Sequence, residues 1–532
     1  MEIQSKSHQT PKSYATELSK SGQVQRFNVA VQPSEDRTTN FFLVLACTIF
    51  AAASLLFGFD DKIISPVAAL EPFVDKYQGL NPATGTYVLT ARNQTLVFSV
   101  PLVGSIIGGI AASPLNFHYG RKRPLLLAYL ISIGGALLQV FAPTLAAFVS
   151  GRFINGIAMG IANGTAPLYL SEVVPTAVRG RSVSCINILN VTAGVIGTVV
   201  VFGTEKLGSE ASYTIPLAVQ CVLPAILFVC TWPLPESPPW SVAHGRLDQA
   251  RCNLRKLRAF GDEHVEKELQ AMASSQENER TLKEHVSFWD IFSRKHVQRT
   301  LTAGSFYSLN QISGVVLSTT YSTVFLTEIG TGDPFSLTVI ASCCTLAGTI
   351  VAPFVIDRAG RRPTAFVGMT AILIIDAVAG GLAFQEGSKS STTAIAALSF
   401  ILNFFWASSF FSLSSLMPAE MATPSLRHHT MAYTIACAQT TAVITTLVVP
   451  QLTAADAANL GAKAYLIFAG CMVFIIVFVY LLMPETRGRT FAEIDEMYEA
   501  RVPAWKWRTY PSSDNMNTCI SHGASENASH KT

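Results

Sequence analysis

Charged residues are scarce in this chain. Asp, Glu, Lys and Arg make up only 14% of its 532 residues, where a soluble protein carries about a quarter. The deficit argues against a soluble multidomain protein. The formal net charge of +3 is too small a basic excess for a nucleic-acid binder. Cysteine is present without a pairing pattern: there are ten, and Cys47, Cys185, Cys221, Cys230, Cys343 and Cys344 fall inside apolar runs, which suits neither a disulfide framework nor a zinc site. They read as small buried hydrophobes. A nucleophile elbow, a phosphate-cradling glycine loop and metal-ligand spacings are all missing, so no enzyme, metal or cofactor is expected. The first forty residues are polar, which speaks against a cleavable signal peptide and leaves the first apolar run as an uncleaved anchor.

What the chain has instead is long apolar runs. It is 49% hydrophobic with 32 Phe and a mean hydropathy of +0.36. A bilayer core of about 30 Å takes roughly 20 helical residues, and twelve runs qualify, near 41–59, 95–115, 124–142, 145–170, 185–204, 214–234, 300–326, 336–356, 363–384, 394–418, 430–453 and 463–483. Their length excludes barrel strands. The expected architecture is an all-α membrane protein of twelve transmembrane helices in two six-helix bundles, with short cytoplasmic helices between the halves. The division is a polar tail 1–40, an N-terminal bundle 41–234, cytoplasmic linker helices 235–299, a C-terminal bundle 300–483 and a C-terminal tail 484–532. Basic loops ("HYGRKR", "AVRGR", "DRAGRR", "SLRHH") alternate with poorer ones such as "LTEIGTGDPFS". The positive-inside rule therefore puts both termini and the linker in the cytoplasm, and 60–94 mostly outside.

The halves echo each other at the basic corners. "YGRKRP" at 119–124 matches "AGRRP" at 359–363, and "SEVVPTAVRG" at 171–180 matches "AEMATPSLRH" at 419–428. Parallel repeats about an axis normal to the membrane are a transporter architecture. In that reading Glu172, Glu420 and Asp357 face Arg121, Arg179, Arg361 and Arg427 across the halves, as a cytoplasmic gate of ion pairs that closes when the site opens outward. Each pair contributes about 0 to 1 kcal/mol, and a set of them biases a two-state equilibrium of a few kcal/mol. Gly104, Gly108 and Gly109 in the second run, with Gly156, Gly160 and Gly164 in the fourth, read as positions of close helix packing.

Several of these pieces together resemble the sugar porter family of the major facilitator superfamily, and in particular its fungal sugar and polyol proton symporters. They are "FGFD" at 57–60, "YGRKR", "GRFINGIAMGIANGTAPLYLSEVVPTAVRG" at 151–180, "PESPPW" at 235–240, "NQISGVV" at 310–316, "DRAGRR" at 357–362 and "PETRGRTFAEID" at 484–495. The resemblance implies two bundles rocking about a central site, with the solute held mainly by the C-terminal half. It implies a plasma-membrane monomer that takes a small solute and a proton as its partners.

By the same resemblance Asp60 is the proton acceptor, at a break in the first span, and Arg152, opening the fourth, is its partner. Asp61 and Lys62 read as markers of the water interface. The resemblance places solute contacts at Asn310 and Gln311 in "NQISG", at Asn187 in the fifth span and at Ser415, where relatives have a stacking Trp; Gln439 in the eleventh span is a further candidate, restoring one amide. An aromatic platform and two amides of the family pattern are missing, at Ser415, Val316 and Thr345. Proton-coupled uptake of a sugar or related polyhydroxyl compound is the leading expectation. A facilitator or exporter of another small metabolite, such as a quinate-like acid, and a non-transporting sugar sensor are the alternatives.

Overall fold

The computed structural model describes residues 41–510, apart from 175–178, 259–261, 284–287, 386–388, 424–425, 295, 331 and 490. The described residues form helices and turns, with no strand among them. This is the solution open to backbone in hydrocarbon, since a helix satisfies its own N–H and C=O groups.

Eleven helices are long and apolar enough to cross a membrane. The twelfth span, seventh in order, is broken into Val297–Gln311, Val315–Thr319 and Ser322–Glu328. The first break falls at "NQISG", where Gly314 adopts a φ of +79° that other residues rarely take. Span one runs over Phe42–Ala68, with its irregularity at Ala53. Asp60 therefore lies inside a span, where the sequence reading put it at a break. The linker residues form helices Pro238–Ala243, Leu247–Leu257 and Asp262–Lys283, and Leu257 packs into the core of the first six spans.

Spans two (Ala91–Tyr119) and four (Leu145–Val173) touch backbone to backbone. A Cβ at Gly156 would run into the Pro101 carbonyl, one at Gly160 into that of Ser105, and one at Gly108 into that of Ile157. Gly104 and Gly164 are also in tight contact, whereas Gly109 has open space around it, so the packing role expected for Gly109 is corrected. Overpacking such a contact typically costs about 1 to 3 kcal/mol. Gly156→Ala, which meets backbone rather than a flexible side chain, is expected at the upper end, read as a lowered melting temperature of the purified protein, with Gly109→Ala unchanged.

Packing between the two halves is uneven along the membrane normal. At the end that bears residues 60–94, one apolar core runs across both halves, joining Phe59, Ile63 and Phe98 to Leu317, Tyr321 and Val324, and the Phe98 and Tyr321 rings lie 4.3 Å apart. Polar links reinforce this end. Lys62 Nζ donates to the Thr319 carbonyl at 3.1 Å, Thr323 N–H to Ser65 Oγ at 3.0 Å, Gln94 Nε2 to Glu328 Oε1 at 2.9 Å, and Ala91 N–H to the Asp456 carboxylate at 3.0 Å. Lys62 is thus a bridge between halves rather than only an interfacial marker. At the opposite end, the core around Phe50, Tyr129 and Tyr169 contains residues of the first six spans and the linker alone. The molecule is closed at the 60–94 end.

Candidate functional site

Asp60 is 2% exposed, in the half of the molecule formed by the first six spans. A charged side chain at that depth costs about 2.5 to 3.5 kcal/mol on insertion scales, and three donors compensate here. Arg152 Nη1 donates to Oδ2 at 2.5 Å, Asn155 Nδ2 to Oδ1 at 2.7 Å, and Gln220 Nε2 also to Oδ1. Arg152 and Asn155 are three residues apart on span four and so share a face. Asn155 is oriented in turn by Ser132, whose hydroxyl donates to Asn155 Oδ1 at 2.7 Å. The other end of the Gln220 amide, Oε1, is buried and has no partner among the described residues.

A second polar cluster lies where span seven meets span ten. Asn310 is 2% exposed and both ends of its amide are engaged: Trp406 Nε1 donates to Oδ1 at 2.7 Å, and Nδ2 donates to Ser414 Oγ at 3.3 Å. Trp406 opens a stretch of π-helix, Trp406–Phe411, and its ring sits 4.8 Å from that of Phe411. Trp406 thus places an aromatic ring on span ten nine residues before position 415, where the resemblance expects a Trp. Gln311, Asn187 and Gln439 are half-buried and make no hydrogen bond among the described residues. Thr345 spends its hydroxyl on the Ala341 carbonyl of its own helix. The side chain of Ser415, like those of Arg179 and Arg427, lies outside the described residues.

The basic corners form two equivalent clusters, one in each half. Arg121 grips Glu172 with Nε and Nη2 at 2.9 and 2.6 Å, and Ser237 Oγ donates to the same carboxylate at 2.5 Å. In the second half Arg361 Nη2 reaches Glu420 at 2.8 Å, with Thr486 Oγ1 donating at 2.5 Å. Asp357 is 3.8 Å from Arg361 and largely exposed. In this state each carboxylate finds its partners within its own half; the pairing across the halves expected of the outward-open state is a different arrangement of the same residues. A second carboxylate joins each corner. Glu236 accepts from the backbone N–H groups of Arg121 at 2.8 Å and Ser237 at 2.9 Å, and Glu485 from those of Arg361 and Arg362 at 3.0 Å. Burial pushes the Glu236 carboxyl up from its ordinary value, opposed by those N–H groups and by Arg121. Gly120 and Gly360 take φ of +92° and +97° at the two corners, and a Cβ at either would meet the Glu236 or Glu485 carboxylate.

Sequence reasoning did not single out Asn155, Gln220, Trp406 or Glu236. It also missed Asp376, fully buried in span nine, whose carboxylate lies against the Gly314 break. A signal existed for Glu236: "PES" at 235–237 and "PET" at 484–486 are a third repeated pair, each supplying one carboxylate and one hydroxyl to its corner.

A family model described as "Sugar (and other) transporter" matches residues 46–498. Among curated proteins, a probable glucose transporter, rco-3, of Neurospora crassa is 29% identical, covering 87% of this chain and 80% of its own length. A major facilitator-type transporter, ecdD, of Aspergillus rugulosus is 27% identical over 86% of this chain and 87% of its own. Among solved structures, the inward-open conformation of the xylose transporter XylE from E. coli superimposes with a TM-score of 0.70 at 19% identity, covering 86% of this chain and 99% of that one. The same transporter bound to 6-bromo-6-deoxy-D-glucose, described as a major facilitator superfamily proton:xylose symporter, gives 0.65 at 20% identity, with 86% and 99% covered. With two six-helix halves, repeated charged corners and a match over most of its length, the chain belongs to the sugar (and other) transporter family, a family of membrane transporters rather than enzymes, built on the major facilitator fold.

Proposed function

We propose that this protein couples the uptake of a sugar or related polyhydroxyl solute to a proton by alternating access, as a plasma-membrane monomer with both chain ends in the cytoplasm. The observation that carries the reading is the buried Asp60 with its three donors from spans four and six. The basic corners orient the molecule by the positive-inside rule, so that the closed 60–94 end faces outward and the state described is inward-facing.

In this state Oδ1 of Asp60 accepts from both Asn155 and Gln220 while Oδ2 accepts from Arg152, so a proton has no place on Oδ1 until one of its two donors withdraws. Gln220 is suited to withdraw. An amide presents donors at one end and an acceptor at the other, and a half-turn of its side chain would aim the unpartnered Oε1 at a protonated Asp60. Opening the outer end moves span one against spans four and six and exposes the acid to external protons. Loading is then completed by Gln220 as acceptor, and closure restores the Arg152 pair and expels the proton inward. The solute is assigned to the unused amides of Asn187, Gln311 and Gln439 together with the Trp406 ring. A sugar requires paired hydroxyls and an apolar face in a site closed to water, and these residues supply both. XylE, described as a proton:xylose symporter, supports the coupling by likeness of fold.

Uptake of a labelled sugar and polyol panel into transporter-deficient cells, across external pH, tests the reading; uptake indifferent to pH for every transported solute would remove the coupling. Gln311→Ala is expected to weaken apparent solute affinity about tenfold, near 1.4 kcal/mol, with the maximal rate little changed. One observation favours a second reading, facilitation or export of another small metabolite: span ten carries "SSFFSLSSLMP" where the resemblance implies a Gly-Pro-Pro-Trp run. A panel on which no sugar is carried but a cyclitol acid is would decide for it.

A further inference from the structure

Beneath the first six spans, at the basic end, a groove of about 460 Å³ lies between the loop entering span three, the residues leaving span six and the linker helix Leu247–Leu257. That volume is in the range of small-ligand sites, about 300 to 1,000 Å³. Four cations line it, Lys122, Arg123, Arg246 and Lys256, against one carboxylate, Glu236. The Glu236 carboxylate is already engaged by the backbone N–H groups of Arg121 and Ser237. Arg246, Gln249, Asn253 and Lys256 are spaced three or four residues apart and so present one helical face to the groove. The Asn253 amide anchors that face by donating to the Glu236 carbonyl at 3.1 Å.

Two features give the groove a membrane address. It straddles the boundary between hydrocarbon and water, because Lys122 is the first residue of span three and Trp232 follows the last residue of span six. Its rim is aromatic and open, with Trp232 63% and Tyr119 54% exposed, as befits side chains at headgroup level. The cations are also held in place. Lys122 Nζ donates to the Trp232 carbonyl at 2.5 Å, and the Arg246 guanidinium sits 5.3 Å from the Trp240 ring centroid, that ring being fixed by Nε1 donating to the Phe117 carbonyl at 2.8 Å.

We propose that this groove is a binding site for the phosphorylated headgroup of an acidic membrane lipid. Four cations around one concavity suit a headgroup bearing more than one phosphate charge, in keeping with basic pockets at the cytoplasmic ends of membrane helices. A soluble polyanion has no use for the aromatic rim, whereas a lipid rests its glycerol and upper acyl carbons there. The site is separate from the Asp60 and Trp406 clusters and does not depend on which solute is carried, though it rests on the basic end facing the cytoplasmic leaflet. Occupancy would tie the linker helix to the first six spans.

The test uses the full chain in phosphatidylcholine nanodiscs, with and without a minor fraction of phosphatidylinositol phosphate, and counts retained lipid by native mass spectrometry. The wild type is expected to retain one phosphoinositide in preference to phosphatidylcholine. The Arg246→Gln/Lys256→Gln double variant is expected to lose at least about tenfold in affinity, and the charge-keeping Arg246→Lys/Lys256→Arg pair to hold it. Melting curves in plain phosphatidylcholine establish that all three are folded. Trp232→Ala separates the sources: it should weaken the lipid and leave free inositol phosphate unaffected. Equal retention by wild type and the Gln variant overturns the site. Competition by free inositol phosphate at the affinity of the lipid overturns the lipid assignment.

Discussion

In Asp60→Asn, accumulation driven by an acid-outside gradient is expected to collapse to equilibration, while exchange of labelled for unlabelled solute continues. One proton crossing about 100 mV supplies about 2.3 kcal/mol. At 1.4 kcal/mol per tenfold this sustains nearly fifty-fold accumulation, and that ratio is what the variant should lose. The substitution is close to isosteric, and its amide oxygen can still accept from Arg152. Its NH2 group, however, faces the donors of Asn155 and Gln220, and relief requires the Gln220 amide to turn over. A harder problem is the charge left behind: Arg152 is 3% exposed, and removing one partner of a buried ion pair typically costs about 3 to 5 kcal/mol. A folding defect could thus mimic a coupling defect. Asp60→Asn/Arg152→Gln removes both charges together, and it is expected to recover the folded yield without recovering accumulation. Wild-type accumulation in either folded variant would end the assignment of Asp60 as proton carrier.

Asp60 and the corners were legible for the same reason: in a chain this poor in charge, an ion beside an apolar run stands out, and the family resemblance then named Arg152 as the partner of Asp60. What could not be read was which partner each corner ion takes. Glu172 stands at the same spacing before Arg179 as Glu420 does before Arg427, and that regularity invites pairing across the halves. In the state described, Glu172 pairs with Arg121 and Glu420 with Arg361, each within its own half, and spacing along the chain carries no trace of such contacts. Asn155 and Gln220 were hidden because a single amide on an apolar helix looks the same whether it meets a carboxylate or spans a packing gap. Span boundaries drifted for a physical reason as well. Span two extends to Ala91 and Tyr119, beyond the apolar run, because helical hydrogen bonding continues where hydrocarbon ends. Gly109 shows the limit of composition: its neighbour Gly108 meets the span-four backbone, while Gly109, one helical step of about 100° further round, faces open space.

Trp406→Ala is expected to lower apparent solute affinity about thirtyfold, near 2 kcal/mol, more than Gln311→Ala does. The ring is held at three places: its N–H on Asn310, the other end of that amide on Ser414, and Phe411 against its flank. A pre-oriented indole gives apolar contact to a sugar ring at little cost in side-chain freedom, and it is set by a π-helical stretch, a local irregularity common at functional sites. The argument orders a series of variants. Trp406→Phe keeps the aromatic face but drops the anchor, and should fall between wild type and Ala. Asn310→Ala leaves the indole in place but frees it to rotate, so it should reproduce part of the Ala defect, and combined with Trp406→Ala it should add little, because contacting residues that act through one another are not additive. All of these should appear in KM with a smaller change in maximal rate. If Asn310→Ala and Trp406→Ala instead add in full, Asn310 touches the solute itself, and the platform and the amide are independent contacts.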